Sequence, residues 1–69
     1  MSNKLLQAAL SKYEANRDEA LAILDVYLNN SVGIGEHSNL LEEVTKWTEA
    51  LTEAEENIET LNRHSNNGE

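Results

Sequence analysis

The chain has no cysteine and no proline. Without a thiol there is no disulfide, no thiolate metal ligand and no cysteine nucleophile. Without proline, no helix is interrupted by a residue that lacks its backbone N–H. Phenylalanine is absent too, and the aromatic residues are Tyr13, Tyr27 and Trp47. Glycine occurs three times, and five Lys and Arg stand against thirteen Asp and Glu, a formal charge of −8 over 69 residues. Phosphate backbones are held by basic faces, so this balance argues against direct contact with nucleic acid. The longest strongly apolar run, Ala20 to Leu28, falls far short of the about 20 residues that a membrane-spanning helix needs. Lys4 is followed by a mixed polar segment rather than the apolar core of a signal peptide. A reducing cytoplasm is the expected setting. A chain of this length makes one domain at most.

What the sequence does have is a helical rhythm. Residues 3–29 carry apolar side chains at Leu6, Leu10, Tyr13, Ala20, Leu24 and Tyr27, in steps of 4, 3, 7, 4 and 3, with Arg17 at the missing beat. This heptad spacing keeps one side of a helix against a neighbour. Ser2 is placed to cap it, its hydroxyl accepting from a free N–H of the first turn. Asn29, Asn30 and Ser31 end it, since short polar side chains compete for backbone hydrogen bonds. Gly33 and Gly35 follow, and residues 30–37 read as a turn.

A second helix is expected over 38–63, capped by Ser38 or Asn39, with Asn39 and Glu42 at capping-box spacing. Its seam is Leu40, Val44, Trp47, Leu51, Ala54, Ile58 and Leu61, with Glu42, Glu49 and Glu56 on the opposite side. Glu42–Lys46 and Glu59–Arg63 have the favourable i,i+4 order. Residues 64–69 lack periodicity and read as a disordered polar tail. The predicted fold is all-α, an antiparallel two-helix hairpin with arms of roughly 38 Å.

One hairpin has one seam, and a chain this small rarely draws more than about 3–5 kcal/mol from a single core. Eight of the nine residues from Ala20 to Leu28 are apolar, Asp25 being the exception. A helix apolar nearly all round is buried on more than one side. The pattern therefore predicts a homodimer, two hairpins forming a four-helix bundle. Its expected contacts are Ala20, Leu21, Ile23, Leu24, Tyr27, Leu28 and Leu41. A wider seam in a monomer, or docking on a different protein, would use the same surface.

Candidate chemistry is sparse. Gly33-Ile34-Gly35 precedes a helix, but the dinucleotide fingerprint needs a preceding strand and a third glycine, and Ser38 stands at that third position. A plain turn explains it. His37 and His64 fall at opposite ends of a hairpin, so they share no metal within one chain, and no Glu-x-x-His pair of the di-iron kind is present. Glu53, Glu55, Glu56 and Glu59 lie on the polar side of a helix. Catalytic carboxylates need an enclosure that shifts their pKa values, so these read as a solvated face. Arg17 reads as a side chain extending out of the seam to a carboxylate, with Glu14 and Asp18 nearby. The three aromatics occupy seam positions, where their polar atoms need an edge or a partner. No catalytic residue, cofactor or metal site is expected.

The stretch from Leu28 to Glu43, LNNSVGIGEHSNLLEE, resembles the turn of small acidic helical proteins of tailed bacteriophages and marine viral metagenomes. That resemblance implies a viral accessory protein working in the host cytoplasm, and it implies no activity and no functional residues.

Two functions fit these features. The first is a dimeric interaction or structural module, with the Ala20–Leu28 region as the dimer contact and a protein partner met by the turn. Loops often carry recognition, and Val32, Ile34, Glu36 and His37 are the candidate residues there. The second is an acidic decoy, whose second helix imitates a phosphate backbone toward a basic host protein. Residues 38–63 hold seven carboxylates against Lys46 and Arg63, a net −5.

Overall fold

The computed structural model describes residues 3–29 and 39–67. They form two helices, α1 (Asn3–Asn29) and α2 (Leu40–Asn67), packed side by side. No strand occurs among the described residues. At about 1.5 Å per residue the helices are roughly 40 and 42 Å long. The molecule is a rod 51 Å long and 16 by 14 Å across. Ser2 and residues 30–38, including both glycines of the turn, lie outside the described residues.

The two helices run antiparallel. Tyr27, near the end of α1, bonds to Glu43, near the start of α2. Further back along α1, Arg17 lines a groove with residues 55–63 of α2. This register puts α1 and α2 residues level when their numbers sum to about 70. Ala20 then stands level with Ala50, Tyr13 with Asn57, and Leu6 with His64.

The register also explains a difference from the sequence reading. The second helix does not stop at Arg63 but continues through Asn67. Residues 64–67, expected as part of a disordered tail, form its last turn. They carry no apolar periodicity, so pattern alone ends the helix early. In the antiparallel register these residues lie alongside the first described turn of α1. Ser65 is half-buried there, and its hydroxyl donates to the Asn62 carbonyl at 3.2 Å.

At its other end α2 begins as expected. The Glu43 N–H donates to the Asn39 carbonyl at 3.0 Å, which makes Asn39 the residue before the first full turn. Glu42 and Glu43 place negative charge in that first turn, where the helix dipole favours it. The reciprocal side-chain bonds of a capping box do not form between Asn39 and Glu42 among the described hydrogen bonds.

The core is thin. Ala20 (0% exposed), Ala54 (3%) and Leu24 (8%) are the buried apolar residues, and no large side chain is fully enclosed. Small residues at Ala20, Ala50 and Ala54 let the helices approach closely at mid-length. Leu6, Leu10, Tyr13, Val44, Trp47, Leu51, Ile58 and Leu61 flank them and are all half-buried. A rod two helices thick can cover its seam from two sides only, so its larger side chains keep one edge in water.

Candidate functional site

Helix geometry decides which exposed residues lie together. At about 3.6 residues per turn, Leu21 and Leu28 sit to one side of the α1 seam. In an antiparallel pair, the side of α2 that shares this face carries Leu40, Val44 and Leu51, with Leu41 at its margin. Leu21, Leu28, Leu40 and Leu41 are all exposed, the last two of the α1–α2 pairs most strongly so at Leu28 (63%) and Leu41 (80%). The result is an apolar face confined to the half of the rod where α1 ends and α2 begins. Toward the other half the same face turns polar, with Glu14, Arg17, Glu55 and Asn62 among Leu10 and Ile58.

The opposite face is polar over most of its length. Tyr13, Asn16, Glu19, Trp47, Glu53 and Asn57 line an open groove there. Near the joined end it holds an arrangement that heptad reading does not reveal. Tyr27 Oη donates to Glu43 Oε1 at 3.4 Å, and Trp47 Nε1 donates to the same oxygen at 3.3 Å. One half-buried carboxylate thus takes the polar atoms of two seam aromatics from two helices. The signal was present as Glu43 four residues before Trp47, but a heptad treats a polar flank as solvent-facing. The Tyr27 phenol is pushed above its ordinary value of 10.0 by partial burial, then by the charge of Glu43, then by the hydrogen bond it donates. Lys46 adds a cation 5.1 Å from the centre of the Trp47 ring.

The seven residues expected at a dimer contact therefore divide. Leu21, Leu28 and Leu41 are on or beside the apolar face. Ala20 and Leu24 are not available to a second copy, because they are buried inside the single hairpin. Ile23 and Tyr27 project to the other flank, where Tyr27 is already bonded to Glu43. The contiguous run from Ala20 to Leu28 is thus shared among the core and both faces, as any apolar nonamer on a helix must be. The candidate turn residues Val32, Ile34, Glu36 and His37 lie outside the described residues.

Arg17 pairs with its neighbour Asp18, Nε to Oδ1 at 3.2 Å, and no ion pair joins it to α2 among the described residues. It borders an open groove of about 560 Å³ lined also by Glu55, Ile58, Glu59, Asn62 and Arg63. Glu53, Glu55, Glu56 and Glu59 are all exposed, so their charges keep their water. Neither Glu42–Lys46 nor Glu59–Arg63 closes to an ion pair. Among the described residues no three metal-ligating side chains converge, and no helix is long and apolar enough to cross a membrane. Comparison with known protein families, curated proteins and solved structures finds no match to the chain.

Proposed function

We propose that this protein is a small acidic helical interaction module, structural rather than catalytic, that works by laying its apolar face on another protein surface. The observation that carries this reading is the segregation of exposed leucines. Leu21, Leu28 and Leu40 lie on one face of one half of the rod with Leu41 at its margin, while Leu5 (76% exposed) and Val26 stand apart from them; the four leucines together present on the order of 400 Å² of apolar surface, the size of the largest patch on an ordinary monomer, which is often functional. Apart from Leu5 and Val26 the remaining described surface is largely polar or charged. A cytoplasmic setting suits a chain without cysteine, and the resemblance of residues 28–43 to phage proteins would make it a viral accessory module.

A second reading, the acidic decoy, draws on the outer side of α2, where Glu49, Glu53, Glu56 and Glu59 are all exposed. The two readings use different sides of the molecule. A photo-crosslinking amino acid placed at Leu28 samples the apolar face, and one placed at Glu56 samples the acidic side. Irradiation in cells is expected to give a discrete adduct from position 28 and none from position 56. The reverse pattern would replace the module by the decoy.

A further inference from the structure

We propose that the groove on the polar face holds the guanidinium of an arginine side chain carried by a partner protein. The proposal goes beyond the interaction-module reading and uses the flank opposite the exposed leucines.

Both helices build the groove. Ala50 and Ala54 form its floor, and their small side chains leave the space above them open. Asn16 and Glu19 border it from α1, Glu53 and Asn57 from α2. In the antiparallel register Glu19 and Glu53 come within one turn of each other, so two carboxylates from opposite helices border one space. Tyr13 and Trp47 stand toward its two ends. The Trp47 Nε1 proton is already given to Glu43, so what the indole offers the groove is its ring.

These parts match a guanidinium. Its five N–H donors need several acceptors, and the groove supplies two carboxylates and two amide oxygens. Among the described residues, none of Asn16, Glu19, Glu53 and Asn57 has a side-chain hydrogen bond within the chain. No Lys, Arg or His lines the space. Lys46, 5.1 Å from the Trp47 ring, and Lys12, one turn before Asn16, are both outside its lining. A guanidinium is more weakly hydrated than an ammonium and stacks on aromatic rings, which favours arginine over lysine. No three metal-ligating side chains converge among the described residues, which disfavours a metal ion. At about 260 Å³ the groove is smaller than the roughly 300–1,000 Å³ of sites that enclose a whole small ligand. It suits one side chain projected from a larger surface.

The test uses the full chain and two blocked tripeptides, acetyl-Ala-Arg-Ala-amide and its lysine counterpart. Trp47 is the single tryptophan, so its emission reports on the groove, and the side-chain amide signals of Asn16 and Asn57 in NMR spectra locate the ligand. The arginine peptide is expected to shift these signals saturably, in about the millimolar range, and the lysine peptide to bind about threefold more weakly or worse. Glu53→Gln is expected to weaken arginine binding about tenfold. Glu56→Gln, which removes the same charge from α2 outside the groove, is expected to weaken it by less than about twofold. Both positions are exposed, so both variants stay helical, which circular dichroism checks. No saturable shift at Asn16 and Asn57 overturns the site. Equal losses in the two variants reduce the effect to net charge and overturn it as well. Equal binding of the two peptides overturns the choice of a guanidinium. None of these outcomes touches the crosslink expected from position 28, so this inference and the module reading fail separately.

Discussion

Glu43 is the residue on which two aromatic side chains converge, and its effect is visible in how the fold responds to alkali. Tyr27 has a folded-state pKa above its unfolded value of about 10. A group raised in this way contributes stability that is complete below the unfolded value and is lost as pH rises through the folded one. Ionising the phenol also removes the proton it donates and sets a second negative charge against Glu43. The expectation is that the urea midpoint of the wild type falls between pH 8 and pH 11, and that Tyr27→Phe loses less over the same interval. Equal losses in the two would show that the bond to Glu43 has no part in stability.

At the level of the helices, packing is tightest where the side chains are smallest. Enlarging a residue there forces the helices apart, so Ala20→Leu is expected to cost about 1–3 kcal/mol. Leu41→Ala, at a site with four-fifths of its side chain in water, should stay within about 0.5 kcal/mol for the isolated hairpin. Urea unfolding at low protein concentration checks both, and a costly Leu41→Ala would mean that the face is covered within one chain. The same contrast shows what the sequence made legible. The helical reading of residues 3–29 agrees with α1, because apolar spacing marks it locally. The last turn of α2 was missed, because residues 64–67 carry no apolar periodicity to mark it. The apolar nonamer was read as apolar nearly all round, and in the structure its residues divide between the seam and the two flanks of α1. Glu43 was passed over for a related reason: its partner Tyr27 lies on the other helix, and a pattern read along one strand of sequence does not show cross-helix neighbours.

For the whole molecule, the charge of −8 sets opposite signs for the two functional readings. Two acidic rods brought together repel over a Debye length of about 10 Å at 0.1 M salt. Added salt screens that repulsion and strengthens apolar contacts. Self-association is therefore expected to tighten between 0.02 and 0.5 M sodium chloride, by roughly the factor of a few that exposed charges are worth. A decoy held to a basic partner would do the opposite and weaken steeply. Sedimentation equilibrium across that salt range measures the sign directly, and association that falls with salt would count against the dimer.

The antiparallel register carries a kinetic consequence. Each successive contact away from the joined end closes a longer loop: Tyr27 and Glu43 are sixteen residues apart, whereas Leu6 and His64, level near the other end, are fifty-eight apart in the sequence. Loop closure costs more entropy as the loop lengthens, so the hairpin zips from residues 27 and 43 outward. The leucines of the apolar face belong to the portion that zips first. A nascent or refolding chain thus presents its exposed leucines before the far half of the rod is in place, and association begins to compete with the completion of folding.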